Sequence, residues 1–181
     1  MELITTKIDG AVLLKPRVHS DVRGFFMESW NAETFAQLGL DIQFVQDNHS
    51  CSGRGVIRGL HYQLPDAQGK LVRVVHGAAY DVIVDLRRSS PTFGEWLGIE
   101  LTAENQLMLW APPGVAHGFL SLEAGTNLMY KCTEFYRPAS ERCLLWNDPA
   151  MGIEWPVLDS PPILAPKDDE GVMFAEAVYY P

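Results

Sequence analysis

The chain has 181 residues, 47% of them hydrophobic, which suits a packed core and excludes a disordered composition. Its net charge of −9 argues against non-specific nucleic-acid binding, and no apolar run approaches the roughly 18 residues of a membrane span. The first residues lack the basic-then-apolar layout of a signal peptide. The chain has an odd number of cysteines, and their spacing does not resemble that of metal ligands. They are Cys51, Cys132 and Cys143, and we expect them to be reduced thiols. We therefore expect one cytoplasmic domain over residues 1–181, with neither nucleic acid nor membrane as a partner.

Short apolar runs separated by glycines and prolines predict an all-β sandwich or barrel. Residues 11–18 are predicted to form a strand broken by Pro16, followed by a turn at 19–24 and a strand at 25–30. The clearest helix is predicted over residues 31–39. Asn31 is its expected N-cap and Gly39 its expected C-terminal stop.

The remaining strands follow at short intervals. The most distinct feature is a predicted hairpin over residues 70–86, with its turn at His76-Gly77. From Pro149 onward the prolines become denser, and we expect loops that wrap the body. The other predicted strands are 44–50, 53–63, 95–101, 106–110, 117–122, 126–135 and 143–147.

The strand at 53–63 carries a candidate catalytic base. Alternation places His61 and Gln63 on one face and Leu60 and Tyr62 on the other. A lone strand histidine is more often structural, so a base needs a buried carboxylate to orient it. Asp81 lies among apolar neighbours, where an unpartnered carboxylate would be costly, so it is the predicted partner of His61.

Other side chains suit binding or proton transfer, although each alone is more often a packing residue or a surface charge. Tyr130 is a possible proton donor, and a tight turn at 112–119 delivers His117 at a strand start. Four cations that could clamp a diphosphate are Arg23, Arg58, Lys70 and Lys167.

Several site classes find no support in the sequence. No His-x-His pair exists and a third histidine is not obvious, so we predict no metal site. The chain lacks a phosphate loop, a dinucleotide fingerprint and a Gly-x-Ser-x-Gly motif. The residues alone therefore indicate a β-rich enzyme or binding domain for a small molecule.

Taken together and in order, the motifs of the chain are specific for one protein family. Together they resemble the dTDP-4-dehydrorhamnose 3,5-epimerase family, whose members are cupin-type jelly rolls acting on nucleotide sugars. The resemblance covers nearly the whole chain. The matching segments are 21–28, 46–48, 58–63, 68–74, 81–82, 90–94, 112–119, 130–131, 141–142 and 167–168.

The resemblance implies a role for each matching residue. His61 would be the base, paired with Asp81, Tyr130 the opposing acid, and Lys70 the group that stabilises the enolate oxygen. It implies a dTDP-4-keto-6-deoxy-sugar substrate, no cofactor, and a homodimer in which N-terminal residues reach the partner's cavity. The implied substrate-binding residues are Arg23, Glu28, Gln46, Asn48, Arg58, His117, Glu141, Lys167 and Asp168.

Two features depart from the simplest form of the pattern. The segment before Lys167 reads Leu164-Ala165-Pro166, where the family pattern leads us to expect a serine, and this puts the placement of Lys167 and Asp168 in question. Strict alternation also places Arg58 on the face opposite His61. A bulge or kink at Gly59 would bring both to one substrate.

Three alternatives remain open from the sequence. A sibling enzyme would epimerise only one carbon of a related nucleotide sugar and would show the same acid–base pair. A non-catalytic sugar-binding jelly roll would not need a base opposite an acid. A metal-dependent cupin dioxygenase is disfavoured because Tyr62 and Gln63 follow His61.

Overall fold

The computed structural model describes residues 1–181 as two antiparallel sheets packed face to face. The larger sheet contains β1 (Glu2–Thr5), β2 (Val12–Lys15), β5 (Gln46–Ser52), β7 (Lys70–His76), β10 (Met108–Ala111) and β12 (Thr126–Cys132). The order of its six strands is β1-β2-β10-β7-β12-β5. The smaller sheet contains β6 (Ile57–Gln63), β8 (Ala78–Asp85), β9 (Trp96–Thr102), β11 (Val115–Ser121) and β13 (Glu141–Cys143). The order of its five strands is β13-β6-β11-β8-β9.

The main core lies between the two sheets. Val72 and Leu128 from the larger sheet pack in one buried cluster with Ile83 and Phe119 from the smaller sheet. Their burial follows from alternation, because every second side chain of each strand faces the opposite sheet. The chain is therefore a mainly β jelly roll of the cupin type, as predicted.

Two further clusters cover the outer faces of the sheets. On the larger sheet, Phe35 of helix α1 (Ala32–Gln37) packs with Leu14 and Met108. On the smaller sheet, the C-terminal tail contributes Tyr180 to a cluster with Val82. The helix prediction is confirmed at its start, where the Asn31 side chain accepts hydrogen bonds from the first-turn amides, and at its end, where Gly39 has φ +81°.

The predicted hairpin over residues 70–86 is wrong. β7 pairs with β10 and β12 in the larger sheet, whereas β8 pairs with β11 and β9 in the smaller one. The chain changes sheets at Gly77, whose φ is +75°. Local alternation shows that two strands exist but not which neighbours they choose, so a crossover between sheets looks like a hairpin in the sequence.

The predicted turn at residues 19–24 is also too long, because most of it is strand. β3 (Val18–Asp21) and β4 (Gly24–Met27) form a two-stranded hairpin that joins neither main sheet. β1 was not predicted at all. After β13 the chain has no named strand, only α2 (Pro166–Asp169) and a 3₁₀ turn at Phe174–Glu176. An earlier 3₁₀ turn, Pro138–Ser140, directly precedes β13. None of the helices is long and apolar enough to cross a bilayer.

Candidate active site

A cavity of about 370 Å³ is walled by strands of both sheets and by α2. Its lining combines cations, carboxylates, amides and aromatic rings, unlike the apolar core beside it. Most of the predicted site residues meet here. They are His61, Lys70, Tyr130, Gln46, Asn48, Arg58, His117, Glu141, Lys167 and Asp168.

Arg58 and His61 reach the same cavity because β6 is irregular between them. In the pairing with β11, His61 lies opposite His117 and Arg58 opposite Phe119, so β6 holds one extra residue. Gly59 occupies this bulge with φ +109°, and a Cβ there would come within 2.6 Å of the Gly118 Cα. The predicted bulge at Gly59 is confirmed, and only glycine fits it.

His61 is paired with Asp168, and the predicted pairing with Asp81 is wrong. The His61 Nε2 and Asp168 Oδ1 atoms lie 2.5 Å apart. The Asp168 side chain is 3% exposed and that of His61 23%, so the carboxylate is enclosed while the imidazole reaches the cavity. No protein group bonds the other ring nitrogen of His61, which leaves it free to accept a proton.

Asp81 instead holds His117. The His117 Nε2 lies 2.9 and 3.0 Å from the two Asp81 carboxylate oxygens, and the Asp81 side chain is fully buried. The cause is strand order, because β11 lies between β6 and β8 and so places His117 between His61 and Asp81. The prediction that Asp81 is buried and paired is thus confirmed, with a different histidine as its partner.

Lys70 extends from β7 into the cavity and has no carboxylate partner. Its side-chain nitrogen donates to the backbone oxygen of His61 over 3.4 Å, and the residue is 8% exposed. Burial lowers the pKa of Lys70, although nearby Cys132 and Asp81 act in the opposite direction. A buried ammonium group without an ion-pair partner stabilises a negative charge that develops beside it.

Tyr130 lies on β12 and lines the same cavity as His61. Its hydroxyl makes no hydrogen bond within the protein, and its ring packs 6.4 Å from that of His117 between centroids. Burial raises the pKa of Tyr130, so the phenol stays protonated at neutral pH. These properties suit a proton donor.

Tyr136, Glu141 and Lys167 form a hydrogen-bonded network in the part of the cavity lining that comes from the C-terminal third of the chain. The Lys167 Nζ donates to Glu141 Oε1 over 2.8 Å, and the Tyr136 hydroxyl donates to the other Glu141 oxygen over 3.2 Å. Ala165 is the N-cap of α2 and provides no side-chain cap, yet Lys167 and Asp168 both reach the cavity. The missing serine therefore does not displace them.

Arg23 and Glu28 are not part of this cavity within one chain. Arg23 pairs with Asp21 at the tip of the β3–β4 hairpin and is almost fully exposed. Glu28 accepts hydrogen bonds from Asn31 and Thr34 at the start of α1. The prediction that these two residues bind substrate therefore depends on a second copy of the chain.

Sequence reasoning missed several lining residues and one cluster. Tyr136 follows the end of β12 after a bend at residues 133–134, so strand alternation could not have found it. Alternation already places Gln63 on the face of His61, whereas Ser50 and Gln68 have no sequence signal that points to the cavity. The potential ligand atoms of His61, Cys143 and Asp168 all lie within 4.8 Å of one another.

The chain matches known proteins over its whole length. The sequence profile described as dTDP-4-dehydrorhamnose 3,5-epimerase matches residues 5–176. The Pseudomonas aeruginosa protein named dTDP-4-dehydrorhamnose 3,5-epimerase is 50% identical over 182 residues, which cover 100% of both chains.

Solved structures share the fold closely. A Legionella pneumophila dTDP-6-deoxy-D-glucose-3,5-epimerase in complex with dTDP-4-keto-L-rhamnose has a TM-score of 0.93 at 44% identity, covering 97% of this chain and 93% of that one. A 3'-monoepimerase from Streptomyces bikiniensis, in complex with dTDP-quinovose, has a TM-score of 0.89 at 38% identity and covers 95% of this chain and 87% of that one. The chain belongs to the dTDP-4-dehydrorhamnose 3,5-epimerase family and is an enzyme of nucleotide-sugar metabolism.

Proposed function

We propose that this protein epimerises C3 and C5 of dTDP-4-dehydro-6-deoxy-D-glucose, giving dTDP-4-dehydro-L-rhamnose, a step of dTDP-L-rhamnose biosynthesis. The observation that carries the proposal is one cavity containing a His61–Asp168 pair, a protonated Tyr130 and an unpaired Lys70. No cofactor takes part, because the C4 keto group already makes the hydrogens on C3 and C5 acidic.

Each inversion begins with proton removal by His61. Its free ring nitrogen takes the proton from carbon, and the electron pair of the C–H bond moves onto the keto oxygen as an enolate. Asp168, 2.5 Å from the other ring nitrogen, stabilises the imidazolium that forms. The carboxylate is enclosed, so its charge acts on the imidazole with little screening by water.

Lys70 stabilises the enolate oxygen. Its ammonium group is buried without an ion-pair partner, so no existing bond must break before it meets the developing charge. Tyr130 then donates its proton to the opposite face of the planar carbon. The resulting phenolate and imidazolium return to their starting states by proton exchange with water, and the sugar shifts or ring-flips before the second inversion.

The nucleotide part of the substrate supplies binding energy that positions the sugar. Arg58 and Lys167 at the cavity are cations suited to a diphosphate, with Gln46, Asn48 and His117 as further polar contacts. Glu141 holds Lys167 over 2.8 Å and so fixes its position. The protein would carry out this reaction in the cytoplasm as a single domain over residues 1–181.

The enzyme acts as a homodimer in which the β3–β4 hairpin of one chain completes the cavity of the other. The hairpin is detached from both main sheets and exposes Phe25 and Phe26 by 60% and 72%. Exposed aromatic side chains on an unsupported two-stranded hairpin are unusual in a monomer. This arrangement would bring Arg23 and Glu28 to the partner's substrate.

Subunit complementation tests the shared site. Arg23→Ala and His61→Asn homodimers would each be weakly active, but mixing them after partial unfolding would create a cavity with an intact His61 and an Arg23 from the partner. We expect activity to reappear in the mixture. Mixtures no more active than their parents, despite mass-spectrometric proof of heterodimers, would contradict a shared site.

The reaction is tested by NMR in heavy water with the keto-sugar nucleotide. We expect deuterium at both C3 and C5. Deuterium at one carbon would favour a one-carbon epimerase, like the 3'-monoepimerase from Streptomyces bikiniensis. Tight binding of the nucleotide sugar without any deuterium uptake would favour a binding module.

A further inference from the structure

We propose that His61, Cys143 and Asp168 form a Zn²⁺ site whose occupation inhibits the enzyme. One imidazole nitrogen, one thiol sulfur and one carboxylate oxygen lie within 4.8 Å of one another. They come from β6, the neighbouring β13 and α2, and His61 and Cys143 are direct partners in the β6–β13 pairing. The metal here is an inhibitor and has no part in the reaction.

The three ligands match the chemistry of zinc. Zinc binds nitrogen, thiolate sulfur and carboxylate oxygen at about 2.0–2.3 Å, commonly with three protein ligands and one open position. The nitrogen and oxygen atoms are now 2.5 Å apart and must separate by less than about 1 Å to sit around a tetrahedral ion. All three ligand atoms belong to side chains, which small rotations about the side-chain bonds can shift without movement of the backbone.

Without a metal ion, the Cys143 thiol stays protonated and takes no part in proton transfer. Burial, followed by the negative charge of Asp168, raises the pKa of Cys143 to about 12. Its Sγ makes only a weak contact of 3.4 Å with the Leu144 backbone oxygen. A bound ion would replace the thiol proton and gain a thiolate ligand, as zinc does in protein sites generally.

Inhibition follows from the tautomer of His61 and rests on the proposed function. A neutral imidazole bound to zinc through one nitrogen carries its proton on the other nitrogen. Neither nitrogen then has a lone pair for the substrate's proton, and Asp168 is removed from its orienting position. The ion can enter through the cavity, since the His61 side chain is 23% exposed.

Substitution of Cys143 can distinguish zinc binding from epimerisation. It is not among the residues that line the cavity, so Cys143→Ser removes the sulfur ligand without changing the surface that meets substrate. Cys51 is exposed and lies on another strand, which makes Cys51→Ser the matched control for loss of one thiol.

The experiment is titration of the chelator-treated protein with Zn²⁺ by calorimetry, and with Co²⁺ by absorption spectroscopy. We expect one ion per chain and a thiolate-to-cobalt band in the wild type and in Cys51→Ser. Cys143→Ser should lose the band and bind zinc more weakly by about tenfold or more, since removing even a group that only orients a ligand costs that much. In parallel assays, zinc should stop wild-type turnover, EDTA should restore it, and Cys143→Ser should stay active at that zinc concentration.

Binding and activity are read separately, so the two proposals fail separately. Absence of the thiolate band, or equal zinc affinity in the wild type and Cys143→Ser, would overturn the zinc site whatever the protein catalyses. Tight zinc binding through Cys143 with unchanged turnover would overturn the inhibition. A protein that binds zinc through Cys143 but never exchanges substrate hydrogens would contradict the proposed function and leave the metal site standing.

Discussion

The molecule contains two histidine–aspartate pairs that are built from the same groups and placed differently. His117 and Asp81 lie on adjacent strands of the smaller sheet, with side chains 7% and 0% exposed. His61 and Asp168 join a strand to a four-residue helix 107 residues away, and the imidazole opens onto the cavity. The two pairs are neighbours, because His117 on β11 lies directly opposite His61 on β6.

The difference shows how one chemistry serves two purposes. A pair enclosed between strands is held by the sheet and keeps its imidazole in place. A pair closed by the chain's C-terminal segment presents a free ring nitrogen to the substrate. We therefore assign proton transfer to His61–Asp168, and positioning of a cavity wall to His117–Asp81.

The largest expected effect comes from Asp168→Asn. The amide cannot stabilise the imidazolium and favours the wrong tautomer, so kcat should fall by about two to four orders of magnitude. Thermal unfolding should change less than in Asp81→Asn, because the His61 partner is 23% exposed and can be solvated from the cavity. Unchanged kcat would remove Asp168 from the mechanism.

Tyr130→Phe tests whether the phenol that lines the cavity beside both pairs is the acid. Loss of the phenol should lower the rate of inversion by about 10²-fold, a typical contribution of a general acid. Deuterium uptake at the reacting carbons should continue, since His61 still removes the proton. NMR in heavy water separates the two rates, and their equal loss would mean that Tyr130 is not simply the acid.

Asp81→Asn should affect stability more than chemistry. A hydrogen bond between a charged carboxylate and His117 is lost in a fully buried place, which costs about 1.5–3 kcal/mol of unfolding free energy. Urea denaturation measures this loss, with Asp168→Asn as the matched control. A larger destabilisation by the Asp168 variant would reverse the assignment of the two pairs.

A third buried aspartate, Asp85, makes the stability of the fold depend on pH. Burial alone would raise the pKa of Asp85, but hydrogen bonds from Arg87, Ser90 and Thr92 lower it from 3.8 to about 2. The folded state then stabilises the carboxylate by roughly 2 kcal/mol, fully present above the ordinary pKa and lost as the pH falls towards about 2. Unfolding by urea at a series of acidic pH values should show this loss in the wild type and a smaller slope in Asp85→Asn.

The smallest expected effect is a gain from Ala165→Ser. The N-cap of α2 lacks a side-chain acceptor for its free amides, and serine would supply one. We expect up to about 1 kcal/mol of added stability, with kcat unchanged because Asp168 already reaches His61. A fall in kcat would indicate that α2 must move during turnover, in contrast to the rigid His117–Asp81 pair.

The sequence was sufficient for the elements that depend on local signals. Asn31 and Gly39 mark the ends of α1, alternation predicts most of the strands, and Gly59 indicates the place where β6 must bulge. The ordered motifs also named most of the cavity lining. These features can be read locally because capping, alternation and positive φ are properties of a few adjacent residues.

What could not be predicted depends on strand order. Nothing local shows that β11 separates β6 from β8, so the sequence predicts Asp81 as the partner of His61 although Asp81 contacts His117. The partner of His61 comes from the far C-terminal segment, and no sequence period links Asp168 to His61. The false hairpin at residues 70–86 has the same origin, since its two strands belong to different sheets.

The central claim is that the base is His61 held by Asp168, facing Tyr130 across one cavity. The most direct test is the rate of deuterium uptake at C3 and C5 of the keto-sugar nucleotide, compared between Asp168→Asn and Asp81→Asn at a temperature where both are folded. We predict that uptake falls far more in Asp168→Asn than in Asp81→Asn. Near-normal uptake in Asp168→Asn, with uptake abolished in Asp81→Asn, would contradict the account and move the base to His117.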